Sequence, residues 1–496
     1  MGKSEHQYQF DDVRPYHDSH RKPDNHVQRT HRFLKHEGTK TQRGGAFRPL
    51  LCVLVALWLC GLTSCNRAPT FSQDIAPIIF RNCSPCHRPG EIGPFPLLTY
   101  EDVSKRAKNI AVVTQARYMP PWPADPSYSH FIGERVLNPS DIETIQRWVA
   151  DGAPAGDPAK LPPQPQFTRP SAATKPDLVV KLLEPVKIPG DNHDHFMVVK
   201  IPYEIPQDRF VRAIEFVPGN RKLLHHMNGH IVQYEEKKKN PFEGPYVVDR
   251  ESVRTLEETY DAIHLLNDDG SYPELTPSVA NYLPGGVSPA GYPEGIGGWK
   301  LNRKGAFLMR DIHYGPSPVE TEDQSHFNVF FTDKPPVRPA KEMQLGTLGI
   351  SEIIPPLIIP PNLVKTFTTK TVAQEDISLL TLNPHMHLLG KSFEAFAATP
   401  DGKTIPLVKI PKWDFRWQYF YTFPKMVKIP RGSTIAAIAV YDNTAQNPNN
   451  PFSPPREVIG TNGSMHMTDE MFQLIMKYLP YQPGDENIGL TNPFVQ

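Results

Sequence analysis

The cysteines of this chain stop early. All five (Cys52, Cys60, Cys65, Cys83 and Cys86) lie in the first 86 of 496 residues, and residues 87–496 contain none. Most of the fold therefore has no disulfide, no Cys-rich zinc cage and no thiol nucleophile available to it. It must hold by packing alone, or with help from other metal-binding side chains. A chain of this length corresponds to about three domains, each long enough to bury a core. Proline, with 55 residues, runs at about twice its usual share. That argues against long helices and for sheets joined by many turns. Lys+Arg and Asp+Glu are balanced at 53 each, so no basic surplus marks a nucleic-acid partner.

Residues 50–64 read LLCVLVALWLCGLTS. The run is shorter than the roughly 20 residues of a spanning helix. Its length suits a signal-peptide core, with Arg43 and Arg48 as the positive flank. The segment Leu62-Thr63-Ser64-Cys65 that closes residues 49–65 resembles the bacterial lipobox. The resemblance implies that Cys65 carries lipid and that the peptide before it is removed; the other reading is an uncleaved anchor. Either way the remainder is exported, to the periplasmic or cell-surface side, and tethered to a membrane. Residues 1–48 are polar, carry six histidines and show no periodicity. They read as a disordered or mis-started extension rather than a metal-binding tract.

Residues 68–157 contain Cys83-Ser84-Pro85-Cys86-His87, the C-x-x-C-H attachment pattern of haem c. Two thiols about one helical turn apart add to the two haem vinyl groups, and the following imidazole meets the iron. A redox C-x-x-C does not need the histidine, and a zinc site would need two further ligands nearby. Ile75, Ile78 and Ile79 give an apolar helical face before the motif. Asn138-Pro139 open a second helix. Ile142, Ile145, Trp148 and Val149 line one face of it, and Gly152 stands where it can end. The segment resembles the small all-α cytochrome c domain. Met119, in Arg117-Tyr118-Met119-Pro120-Pro121-Trp122, is the candidate sixth iron ligand; His130 and an open iron are the alternatives.

Residues 158–176 are proline-rich and read as an extended spacer. Beyond them come short β-rich runs at Phe196–Ile201, Phe210–Val217, Ala306–Tyr314, Phe327–Thr332, Ile377–Leu382, Ser392–Ala398 and Thr434–Val440. Such runs suggest antiparallel sandwiches. A proline-rich break at Asp333–Pro339 divides the region into halves, residues 177–337 and 338–496.

The histidines fall at metal-ligand spacings. His225-His226-Met227 and His313 lie in the first half. His385-Met386-His387 and Met465-His466-Met467…Met471 lie in the second. His385 and His387, two apart on a strand, project from one face and can chelate one ion. His225 and His226 are adjacent, so sharing a metal requires a bulge or a strand end. Imidazole suits Zn, Cu, Fe and Ni, while thioether selects soft Cu(I), so the pairing points to copper. Separate structural histidines are the bland alternative.

HHM at 225–227, HYG at 313–315, H-x-H at 385–387 followed by Leu388-Leu389-Gly390-Lys391, and Asp469-Glu470-Met471 occur in that order. The set resembles the copper type II, ascorbate-dependent monooxygenases over roughly residues 177–480. The resemblance implies two jelly-roll-like domains, each holding one copper, facing across a solvent-filled cleft. Carried over, His225, His226 and His313 form an electron-transfer copper site. His385, His387 and Met471 form the site that binds O2 and hydroxylates a C–H bond. Met465 and Met467 are spare thioethers, and His230, His326 and His466 match no ligand position.

This chain also departs from the family. Animal members carry disulfides, which it cannot form beyond Cys86. Where the peptidylglycine-hydroxylating members use an Arg two positions before H-x-H to grip a carboxylate, it has Asn383. Where they have a Tyr four residues past the Met ligand, it has Ile475. A peptide-amidating substrate does not fit these positions. The expectation is an exported, membrane-tethered monooxygenase that acts on a small organic substrate and O2. It would hold two coppers and one covalent haem c fed by an external electron donor. A non-catalytic redox or copper-binding protein on the same scaffold is the rival. A zinc hydrolase lacks H-E-x-x-H and leaves the methionine unexplained.

Overall fold

Proline placement keeps the helices short. Pro77 opens the helix Ala76–Asn82, which continues a π-turn at Phe71–Ile75, and Pro139 opens the helix Pro139–Ala150. Asn138 stands at the N-cap of the latter in extended conformation, without a side-chain cap bond. Two more helices, Tyr100–Ser104 and Ala107–Gln115, lie between, the first started by a reciprocal Thr99/Asp102 capping box. Ile75, Ile79, Ile142, Ile145 and Trp148 share one buried cluster, so the apolar faces read from the sequence do meet. The computed structural model describes residues 67–167, 175–234, 239–253, 255–284, 290–293, 295–460 and 466–490. The leader, Cys65 and Met465 lie outside the described residues. From Arg67 onward the chain forms one compact unit.

The β region builds two sandwiches in which all strand pairs are antiparallel. In the first, one sheet has the order Leu178–Lys181, His326–Thr332, Arg209–Val217, Trp299–Leu301. The other runs Val247–Asp249, His195–Glu204, Lys304–Tyr314, Leu224–Gln233, Glu274–Leu275. Ile214, Phe327, Phe307 and Ile231 meet between the two sheets. In the second sandwich, Lys341–Gly346, Gln473–Pro480, Ile377–His385 and Tyr421–Ile429 form one sheet. Ile353–Ile354, Val364–Val372, Thr434–Asp442, Gly390–Ala398 and Thr404–Ile410 form the other. Phe367, Leu379, Phe393 and Leu474 fill its core. Each of the seven β-rich runs read from the sequence lies within one of these strands.

Packing ties the helical region and the proline-rich segment to their neighbours. The helical region is not self-contained, because residues 119–132 leave it as an arm that joins the second sandwich. Ala124 and Phe131 are buried in that sandwich's core. Trp122 packs on Tyr419 and Tyr421 with ring centroids 5.0 and 5.6 Å apart. Main-chain bonds run from Asp125 N to Lys409 O and from Ile132 N to Thr422 O, both 2.8 Å. Nor does the proline-rich segment stand free where it is described. Gln164 donates to Leu98 O at 3.3 Å, and the Phe167 ring lies 4.2 Å beneath the Arg88 guanidinium.

Candidate metal centre

A bulge sets the first histidine cluster. His313 is in register with His226, yet the next pair is Tyr314 with Leu224, so His225 is the extra residue of the ladder. That irregularity lets both adjacent histidines approach His313. Ring centroids are 4.8 Å apart for His225 and His313, and 5.0 Å for His226 and His313. Gly315 makes room: a Cβ there would lie 2.6 Å from His225 Nε2. A second bulge lies earlier on the same strand. Met309 pairs with Gly229 and Asp311 with Asn228, leaving Arg310 unpaired. Before it, Phe307 and Met309 face the sandwich core; after it, Ile312 and Tyr314 do. Without this one-residue shift His313 would point into that core.

Acidic partners fix the proton positions. His313 Nε2 donates to Asp194 Oδ1 at 2.7 Å and His226 Nε2 to Asp311 Oδ2 at 3.3 Å. The Nδ1 atoms of His226 and His313 are buried with no hydrogen-bond partner among the described residues. With the proton held on Nε2, each Nδ1 presents a bare lone pair, the state a metal-ligating imidazole requires. Burial first, then the neighbouring His313 and His226 rings, lowers His225 to about 3, keeping it neutral.

The second cluster grows from a strand end. His385 registers with Gln473 across the Ile377–His385 and Gln473–Pro480 pair. Met471 lies two residues before Gln473, as His387 lies two residues after His385. His385 Nδ1 donates to Gln418 Oε1, whose amide is oriented by its own 3.0 Å bond to Phe415 O. His387 Nδ1 donates to Asp469 O at 2.9 Å. Both protons are thereby placed on Nδ1, and the two Nε2 atoms face each other at 3.2 Å. Two neutral imidazoles so arranged have no proton to share between these atoms. A cation is the natural partner for the two lone pairs.

Met471 is buried, and the chain before it clamps His387. The Glu470 carboxylate accepts His387 N at 2.9 Å and Leu389 N at 2.7 Å. Burial pushes the Glu470 carboxyl up to about 8 despite these bonds. His466 instead reaches outward to Glu251 at 3.2 Å.

The donor chemistry of both clusters fits copper, although among the described residues no three His, Cys, Asp or Glu side chains form a closed cage. The expected solvent-filled cleft is corrected. The Phe415 ring is buried between the clusters, 6.5 Å from the His226 and His313 rings and 5.6 Å from His387. Asp311 serves both sides: burial works to raise its carboxyl, and His226, then His385 and Arg250, more than reverse this and hold it low.

The C-x-x-C-H motif follows the helix Ala76–Asn82. His87 Nδ1 donates to Phe95 O at 3.2 Å, which leaves Nε2 without a proton. Gly93 fits tightly under the motif, where a Cβ would come within 2.6 Å of Cys86 O. Both thiols are unbridged, and burial pushes Cys83 to about 12. The donor set fits a covalent haem. Met119 is partly buried, with its N–H donating to Val113 O at 3.2 Å. His130 is largely exposed and paired with Glu134 at 3.1 Å, which counts against it as an iron ligand.

Sequence reasoning missed Asp194, Asp311, Phe415 and Gln418. Asp311 had a signal, standing two residues before His313 in one strand. The other three are brought in by long-range folding and carry no local pattern.

Residues 344–483 match the family model described as Copper type II ascorbate-dependent monooxygenase, C-terminal domain. The match includes His385, His387 and Met471 and excludes His225, His226 and His313. It supports a copper monooxygenase-like second half acting on a small molecule with O2. No curated protein matches the sequence. Among solved structures, PNGF-II shows 8% identity over 62% of this chain and 66% of its own, just under two thirds, with a TM-score of 0.24. The VP2 subviral particle of infectious bursal disease virus shows 9% identity over 65% and 76%, with a TM-score of 0.16. At such scores these likenesses carry no argument about fold or function.

Proposed function

We propose that this chain is an exported copper-dependent monooxygenase with a fused haem c electron donor. The overall reaction is R–H + O2 + 2e⁻ + 2H⁺ → R–OH + H2O. The observation that carries the reading is the His385/His387 pair inside the family match, with both Nδ1 protons anchored and both Nε2 lone pairs converging. His385, His387 and Met471 would hold one copper; His225, His226 and His313 would hold the other; Cys83, Cys86, His87 and Met119 would hold haem c. When bound, copper supplies O2 activation and one-electron chemistry, and haem c supplies a one-electron store.

The chain's own residues prepare that chemistry. Gln418 and the Asp469 carbonyl fix the tautomers of one cluster, and Asp194 and Asp311 fix those of the other. Phe415 places a buried apolar ring between the two. The docked arm gives the helical region a fixed station instead of a tether. Arg221 meets Glu91 at 3.4 Å, and Tyr419 donates to Pro121 O at 2.8 Å. The first β half thus contacts the segment just after C-x-x-C-H, and the second contacts the arm just after Met119. Arg416 adds a link, lying 5.8 Å from the Tyr118 ring next to Met119 while its charge acts on His225. Export and a lipid on Cys65 rest on the leader sequence.

Metal analysis of the purified holoprotein tests the reading. We expect two coppers and one haem per chain, and 18O from 18O2 in an oxidised product. His385→Ala should lose one copper and all product, while His313→Ala should lose the other copper and slow haem reoxidation by O2. One copper or none, or haem reoxidation indifferent to His313→Ala, would leave a redox carrier instead.

A further inference from the structure

The first sandwich brings two arginines near the candidate site, and neither has an ion-pair partner among the described residues. The strand Val247–Asp249 ends at Arg250, which starts a short 3-10 turn. Asp249 registers with Met197, and Met197 with Ile312, so Arg250 arrives beside the bulge that frees Arg310. Arg250 is 5% exposed. Among the described residues neither its Nε nor its Nη1 has a hydrogen-bond partner, and the buried Nε of Arg310 has none either. The one carboxylate acting on Arg250 from within the cluster, Asp311, is hydrogen-bonded to His226. His230 adds a buried, unpartnered Nε2 nearby, its Nδ1 donating to Thr276 O at 2.9 Å. The Arg310 charge acts on both His230 and His385.

Burial of an unpaired guanidinium is costly. Burial lowers Arg250 to about 10, with Asp311 and Arg310 pulling in opposite directions, so it remains cationic at neutral pH. Two guanidiniums that repel one another, with Asp311 and Glu251 acting on Arg250 and Glu342 on the neighbouring His230, leave buried donor atoms unmet among the described residues. Such an arrangement persists where a ligand, rather than the fold, completes it.

We propose that Arg250 and Arg310 form the anchor for a carboxylate of the substrate, so that the site takes small organic anions. The proposal rests on the monooxygenase reading for the word substrate. Anion binding itself does not depend on that reading and is measured separately.

The test uses copper-loaded full-length protein without reductant. Phenylacetate and its neutral isostere phenylacetamide are compared by calorimetric titration, with chloride and inorganic phosphate as ion controls. Phenylacetate should bind at least tenfold more tightly than the amide. Arg250→Met and Arg310→Gln should each weaken it by about tenfold to a hundredfold, the worth of a charge-assisted hydrogen bond. Ligand-free Arg250→Met should also melt higher than wild type, which a purely structural arginine would not allow, and phenylacetate should no longer raise its melting temperature. Arg310→Gln, at a half-buried position, decides the matter if Arg250→Met fails to fold. Equal affinity for acid and amide, binding unchanged in Arg310→Gln, or phosphate binding as tightly as phenylacetate overturns the proposal. Hydroxylation of neutral molecules alone would sink it and keep the monooxygenase reading. Arginine-dependent binding with no 18O transfer would do the reverse.

Discussion

At the scale of single residues, the metal chemistry rests on who holds each imidazole proton. His385 and His387 are legible in the sequence because a two-residue spacing on a strand is visible locally. Gln418 and Asp469 are not, because nothing in their neighbourhood says where they will end up. Gln418 lies 33 residues from His385 and reaches it only after the strand Tyr421–Ile429 has paired with Ile377–His385. Gln418→Leu should therefore weaken copper at this cluster by about tenfold to a hundredfold, as loss of an orienting partner typically does. Competition with a graded series of chelators reads this out, and an unchanged affinity would show that the ring needs no orienting. Gly315 belongs to the same scale. HYG looked like a short motif, and the structure supplies its reason: a side chain would collide with His225.

At the scale of elements, the ladder of strands is what the sequence states most openly. Alternating β-branched and aromatic residues between Pro, Gly, Asn and Asp mark strands wherever one face is buried. The bulges are the part it hides. A bulge at His225 was required by the chemistry of an adjacent pair. The one at Arg310 was not foreseeable, because a strand eleven residues long reads as regular until its two neighbours fix the register. The arm is the other hidden element. Trp122 and Phe131 are isolated apolar residues in a loop, and their partners lie some 290 residues on. Trp122→Ala should destabilise the docked arm, by less than the roughly 3–5 kcal/mol of a fully buried ring, because Trp122 is only partly buried. Denaturant unfolding, followed by the absorbance of the proposed haem and by far-ultraviolet dichroism, should then show two transitions where the wild type shows one. A single coincident transition would mean that the arm does not couple the two regions.

At the scale of the whole molecule, the two sandwiches are joined through buried polar groups as well as apolar ones. Lys477, from the second sandwich, is buried and donates to Ser278 O in the first. Burial lowers it to about 8, only partly countered by Glu342. The unfolded chain keeps this proton up to the ordinary lysine range near 10.5. Between those values the unfolded state binds more protons, so stability should rise as pH increases from about 8 to about 10.5, by about 3 kcal/mol at most. Lys477→Met should flatten that rise and be more stable than wild type at pH 7. A pH series of denaturant midpoints checks both, and a midpoint that falls over this window in wild type would refute the assignment.

The arm also puts the chain on a clock. Pro121 finds Tyr419 across 298 residues, so Trp122 and Phe131 have nothing to cover them until most of the polypeptide has been made. The helical region is synthesised first and finished last. Until then it carries an aromatic patch that invites chaperones, and closing so long a loop is slow compared with forming its local helices. Maturation of the amino-terminal third thus waits on the carboxy-terminal third, and a chain that ends early leaves both incomplete.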